Sequence, residues 1–170
     1  MFSFGSKVYS PSTGIILNNQ MDDFLTSTFT NAYYVESSMY NRIMPKMRPV
    51  SSSCPSIIIN SDTKDLVLSI GGSGGLKITT AVLQVISRHL LIQDSLKASI
   101  DSARIHHQLF PNVIFYEEHF PEDILSELKS IGHKIQKNQN HPSSVVAISK
   151  RSGQLEVMYD YRVDGSVAGF

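Results

Sequence analysis

Apolar positions change their period twice along the chain. Residues Ile78, Ala81, Val82, Val85, Ile86 and Leu90 recur at the three-and-four spacing of an amphipathic helix, which predicts a helix over residues 78–92. Before it stand two β-branched and aliphatic runs, residues 56–60 and 65–70, on either side of Ser61-Asp62-Thr63-Lys64, the composition of a hairpin turn. After it, Asp94 or Ser95 can cap a second helix reaching to about residue 102. Pro121 and Gly132 frame a third over 122–131. Residues 145–149 and 154–159 alternate around Lys150-Arg151-Ser152-Gly153 and predict a closing hairpin. At the start, residues 12–17 read as a strand or strand entry and 18–24 as a polar turn. Residues 29–49, with Pro45 and Pro49 and no period, read as a long loop, of a length usually functional or pinned by a partner. Strands, then helices, then strands imply α+β layers rather than a parallel sheet of βαβ units. No repeat, low-complexity tract or inner boundary breaks residues 1–170, so one domain is expected.

Composition narrows the functional classes. The 170 residues are 41% apolar, and 15 basic side chains balance 15 acidic ones. Such a balance gives no electrostatic reason to expect nucleic acid or an anionic membrane as partner. No apolar run approaches the roughly 20 residues of a membrane span, and no signal-like segment follows Met1, so no direct membrane insertion is expected. Cys54, the single cysteine, excludes an internal disulfide, and its setting before Pro55 and an apolar run suggests a buried thiol. His106, His107, His119, His133 and His141 show neither the i, i+4 spacing nor the nearby cysteine of a metal site, so no metal and no cofactor is expected.

Gly71-Gly72-Ser73-Gly74-Gly75 is the strongest chemical signal. A backbone this bare, delivered from a strand to a helix start, can hold an anion on its own N–H groups. A phosphate-binding loop would need Ser or Thr after Lys77 and a longer spacing. A dinucleotide loop would need a third glycine in register and an acidic residue closing a second strand. Neither condition is met. Glycines at a strand-to-helix turn also simply relieve crowding, and the loop by itself does not separate the two readings.

The loop is accompanied by further segments in a fixed order. These are Phe4-Gly5-Ser6-Lys7-Val8, the run from Gly14 through Asn18-Asn19-Gln20-Met21-Asp22-Asp23-Phe24, Ser51-Ser52-Ser53-Cys54-Pro55-Ser56-Ile57, and Arg104-Ile105-His106-His107-Gln108-Leu109-Phe110-Pro111. Together with Asp160-Tyr161-Arg162 and the closing Ala168-Gly169-Phe170 they make the chain resemble the small subunit of the γ-glutamyltransferases, or glutathione hydrolases, over nearly its whole length. The resemblance implies the αββα sandwich of the N-terminal-nucleophile hydrolases, of which this chain would be the small-subunit portion. It further implies cleavage of the γ-glutamyl bond of glutathione with transfer to water or an amino acid, a large-subunit partner, and no cofactor. Sequence features leave the compartment open; the family works at the extracellular face of the plasma membrane, or is secreted or periplasmic.

Matched residue by residue, the resemblance makes Asp23 the partner of the substrate α-ammonium, with Gln20 beside it as a carbonyl acceptor. Ser51 and Ser52 would donate hydroxyls to the α-carboxylate, and the N–H groups of Gly74 and Gly75 would form the oxyanion hole. Arg104 and His106 would hold a helix end against a sheet. Ser53 stands where methionine is usual, and Leu76 where a small residue is usual. The family nucleophile, a threonine ahead of the F-G-S-K-V segment, has no match in this chain: Thr13, Thr26, Thr28 and Thr30 all fall elsewhere. The resemblance therefore implies a small subunit short of its start and inactive alone. An inactive light-chain-only binding protein and an unrelated amino-acid-binding module are the alternatives.

Overall fold

In the computed structural model, which describes residues 5–24, 38, 40–138 and 142–169, the chain divides into two units, Met1–Ser52 and Ser53–Phe170. The second unit runs β1 (Ser56–Ile59), β2 (Leu66–Ser73), α1 (Lys77–Ile86), a π-helical turn (Ser87–Ile92), α2 (Leu96–Asp101), β3 (Ile105–His106) and β4 (Ile114–Tyr116). It continues with α3 (Glu122–Ser130), β5 (Ile135–Lys137), β6 (Ser144–Arg151) and β7 (Gln154–Met158). Both predicted hairpins are present, and the second closes through Ser152 and Gly153, both at positive φ.

Strands β1, β2, β6 and β7 form an antiparallel sheet in the order β1-β2-β6-β7. Its register pairs Leu68 with Ser149, Ile70 with Ala147 and Gly72 with Val145. Because side chains alternate across a strand, Leu68, Ile70, Val145 and Ala147 share one face. There they pack against Ile78, Ala81, Val82 and Val85 of α1 and against Leu96 and Ile100 of α2. Full burial of each such branched side chain contributes about 1.5–3 kcal/mol. The opposite face is partly exposed, with Ser166, Val167 and Ala168 along it. Across it the register lines up Ile57, Ser69, Ile148 and Val157, with Ile57 73% and Val146 53% exposed.

Three expectations need correction. Strand β2 continues through Gly71 and Gly72 to Ser73, so only Gly74, Gly75 and Leu76 connect it to α1. Gly72 pairs with Val145 in the ladder, and the position requires glycine because a Cβ there would lie 2.7 Å from the Ser144 carbonyl oxygen. The first helix leaves α-geometry at Ser87. His89 is buried and its Nδ1 meets the Asp94 carbonyl at 3.0 Å, Arg88 pairs with Asp94 at 2.6 Å, and left-handed Gln93 ends the turn. A second sheet, β3-β4-β5, was not anticipated; β4 and β5 run parallel and are joined by α3, a single βαβ crossover inside the α+β layout. Ser95 is the residue that caps α2, accepting from the Ala98 N–H at 3.1 Å.

In the first unit residues 12–17 form a hairpin arm rather than a strand. Ser6 N–H bonds Leu17 O, Leu17 N–H bonds Val8 O and Ser10 N–H bonds Ile15 O, around one bridge between Tyr9 and Ile16. A 3₁₀ turn, Gln20–Asp23, follows. Of the predicted long loop, residues 29–37 and 39 lie outside the described residues, as does His141; the rest includes a turn in which Met47 N–H bonds Met44 O.

Candidate functional site

The 3₁₀ turn brings the first pair of predicted residues together. Positions three apart eclipse in this geometry, and Gln20 Nε2 donates to Asp23 Oδ2 at 2.5 Å. Gln20 thus acts on Asp23 as a donor through Nε2, which leaves its carbonyl oxygen for the expected acceptor role. A glutamate in its place would set two carboxylates against each other. Asn18 Oδ1 accepts the Gln20 N–H at 3.0 Å and starts the turn. Asp23 is half-buried.

Asn41 links this turn to the serine pair. Its Nδ2 donates to the Asp23 carbonyl at 2.7 Å, and its Oδ1 accepts the Val50 N–H at 3.0 Å. One amide side chain therefore ties the Asp23 backbone to the residue preceding Ser51, within the first unit. Ser51 is exposed and Ser52 half-buried. Sequence reasoning passed over Asn41. Its partners are 18 and 9 positions away, beyond the reach of any local pattern.

In the second unit Gly74 and Gly75 lie between β2, which ends its pairing at Ser73 opposite Ser144, and α1. Their N–H groups belong to neither hydrogen-bond ladder. Gly74 has φ +129, and a Cβ there would sit 2.8 Å from Ser143 Cα and 2.9 Å from Ser143 Cβ; no side chain fits. The Ser73 and Ser144 hydroxyls meet at 2.8 Å beside it. This junction can present backbone donors to an oxygen acquiring negative charge.

Ser143 in turn rests on a buried polar cluster. Arg104 Nη1 donates to Ser143 O at 3.1 Å, while its Nη2 donates to Ile100 O at 2.7 Å and to Asp160 Oδ2 at 2.6 Å. Asp160 also accepts the Val145 N–H and bonds Arg162 Nη1, and Arg162 Nη2 reaches Glu117 Oε2 at 2.6 Å. Arg104 is 4% exposed and Asp160 fully buried. Burial alone would raise the Asp160 pKa, but the hydrogen bond and charge of Arg104, joined by Arg162, hold it below the usual carboxylate value. The expected role of Arg104 in tying a helix end to the sheet is visible here, since Ile100 belongs to α2 and Ser143 leads into β6.

His106 is buried against α1, its Nδ1 2.8 Å from Thr80 Oγ1 and its Nε2 2.9 Å from Gln108 Oε1. Burial pushes its pKa down. His107 instead meets Asn112 Oδ1 on the surface. Among the described residues no three His, Cys, Asp or Glu side chains converge as a metal site, and no helix is long and apolar enough to cross a membrane. Cys54 is half-buried at the margin of the core, with Sγ near Ser56 Oγ, rather than fully enclosed as expected.

Comparison with known proteins places these features. The family model described as gamma-glutamyltranspeptidase matches residues 1–170. Scoloptoxin SSD20 of Scolopendra dehaani is 48% identical over 168 residues, covering 98% of this chain and 85% of that protein. Glutathione hydrolase proenzyme 1 of Schizosaccharomyces pombe is 38% identical over 169 residues, covering 98% of this chain but only 26% of that protein. The solved gamma-glutamyltranspeptidase of Pseudomonas nitroreducens superposes with a TM-score of 0.81 at 31% identity, covering 99% of this chain and 89% of the matched one. The expected α+β, N-terminal-nucleophile hydrolase fold agrees with these neighbours.

Proposed function

Because this chain belongs to the gamma-glutamyltranspeptidase family, we propose that it is the small-subunit-like part of a γ-glutamyl-transferring enzyme, one domain over residues 1–170 that supplies substrate recognition and oxyanion stabilisation. The Asn41 clamp carries this reading. It ties the backbone of Asp23, whose carboxylate suits an α-ammonium, to Val50, the residue before the serine pair suited to an α-carboxylate, the two charges at one end of a γ-glutamyl group.

In the proposed reaction Asp23 pairs with the substrate ammonium and Gln20 steadies that carboxylate, leaving Gln20 Oε1 as a second acceptor. Ser51 and Ser52 hydroxyls donate to the α-carboxylate. A threonine hydroxyl from outside these residues attacks the γ-carbonyl, and its proton passes to a base and then to the departing amine. The oxygen that gains charge faces Gly74 and Gly75 N–H groups, each such donor typically worth about 3 kcal/mol. Water or an amino-acid amine then displaces the threonine ester and releases glutamate or a new γ-glutamyl amide. The exposed apolar side chains on the outer face of the β1-β2-β6-β7 sheet support a large-subunit layer covering it, which would complete the sandwich.

The test is turnover of glutathione and a γ-glutamyl anilide by the 170-residue chain, with and without a co-expressed large subunit and a preceding threonine-bearing segment. The chain alone should give only background, and the assembly should give turnover. Turnover by the purified chain alone would require a nucleophile within it and contradict the assignment; an assembly that forms yet stays inactive would favour a binding protein without catalysis.

A further inference from the structure

We propose that Arg104 is a positioning residue for the Gly74–Gly75 donors, acting through Ser143. This rests on the reading of those glycines as the oxyanion hole, but the contacts that carry it are physical and independent of substrate. The Gly74 N–H lies in the peptide plane shared with Ser73, and the Gly75 N–H in the plane shared with Gly74. Both planes pivot on Gly74 Cα. That atom is pressed so closely on Ser143 that a Cβ would approach Ser143 Cα to 2.8 Å. Whatever fixes Ser143 therefore restrains the pivot from which both donors are directed.

Among the described residues, two groups hold Ser143. Strand β6 begins at the next residue, and Arg104 Nη1 reaches both Ser143 O at 3.1 Å and Ser143 Oγ at 3.4 Å. The guanidinium can do this only because its other nitrogen is locked. Nη2 is shared between Asp160 Oδ2 and Ile100 O, and Asp160 is itself held by the Val145 N–H and by Arg162. The planar fork thus converts a buried ion pair into a strut aimed at the glycine junction. A lysine keeps the charge opposite Asp160 but cannot bridge to Ser143 at the same time. Arg104→Lys therefore separates positioning from simple charge neutralisation.

The experiment is ¹H–¹⁵N spectroscopy of the 170-residue chain without substrate. In Arg104→Lys, the Gly74 and Gly75 amide resonances should shift, whereas Val82 and Val85 in the core stay in place. Arg162→Lys, which touches Asp160 from the other side and reaches Arg104 only through it, should shift Gly74 and Gly75 less than Arg104→Lys does. Unchanged glycine amides in Arg104→Lys, or equal shifts in both variants, would overturn the proposal. If Arg104→Lys does not fold, the same coupling is read backwards. Gly74→Ala must displace Ser143 and should alter the Arg104 guanidinium signals; unaltered signals would overturn the proposal as well. None of these readouts requires turnover, so a failed activity assay leaves this result standing, and the converse holds.

Discussion

The turn that carries Asp23 and the junction that carries Gly74 are built by opposite means. Around Asp23, half-exposed side chains do the holding: Asn18 starts the turn, Gln20 bonds the carboxylate, and Asn41 ties the backbone to Val50. Around Gly74 the holding is by close packing on Ser143 and by an ion cluster almost wholly removed from water. Hydrogen bonds in water's reach each contribute about 1 kcal/mol net, so the first region can adjust to a ligand. A buried charge left without its partner costs several times more, so the second cannot relax cheaply. Under the proposed function, a recognition element that adapts and an oxyanion site that stays fixed would match what acyl transfer asks of each.

Arg104→Met should break the comparison most severely. It leaves Asp160 buried beside one cation instead of two, and a loss of about 3–5 kcal/mol in denaturant-measured stability is expected. A loss below about 1 kcal/mol, the scale of a surface pair, would show that the cluster is not the rigid element. Acid should attack the same region. Asp160 titrates below its ordinary value of 3.8 in the fold, so its contribution is whole above that value and is lost as pH falls through the lower folded one. The gap in thermal stability between the chain and Asp160→Asn, compared between pH 6 and pH 3, about three units across the carboxylate range, should narrow toward the acid end; a gap that stays constant would contradict the assignment.

The polar turn should respond more gently. Asn41→Ala removes an acceptor from the Val50 N–H and should speed exchange at that amide about fivefold, equivalent to about 1 kcal/mol, without moving the amides of α1. Global destabilisation by this variant would erase the distinction between the two regions. The smallest effect belongs to His106, whose folded pKa is lowered by burial. Its stabilising contribution is complete above the ordinary imidazole value of 6.5 and declines as pH falls through it. His106→Gln should flatten the slope of melting temperature between about pH 5 and pH 7.5, the span over which an imidazole titrates; an unchanged slope would assign it to other groups.

Much of the fold was legible because it repeats locally. The Ile78 to Leu90 spacing, the Ser61–Lys64 turn and the Ser95 cap each declare themselves within a few residues. Strands β3, β4 and β5 did not, since two or three residues are too few for alternation to register, and their parallel pair depends on α3 packing. The glycines were visible, but where the ladder ends was not: Gly72 is strand because it pairs with Val145, 73 positions away. The same distance effect hid Asn41 and the partners of Arg104, whose bond to Asp160 spans 56 residues. The motif residues could be matched one by one, while the side chains that hold them could be found only in three dimensions.

The central claim is that Asp23 captures the ammonium of a γ-glutamyl substrate, and paired carboxylate variants test it most directly. In the chain assembled with a large subunit and a threonine-bearing segment, kcat/KM for a γ-glutamyl anilide should be measured for Asp23→Ala and Asp62→Ala. Asp62 sits in the exposed turn after β1, where its N–H bonds Asn60 Oδ1, and its loss should leave kcat/KM near that of the parent assembly. Asp23→Ala leaves a desolvated ammonium unpaired and should lower it by at least about 2 kcal/mol of transition-state stabilisation, roughly thirtyfold. Equal values for the two variants would show that residues 18–24 are only a turn and would contradict the account.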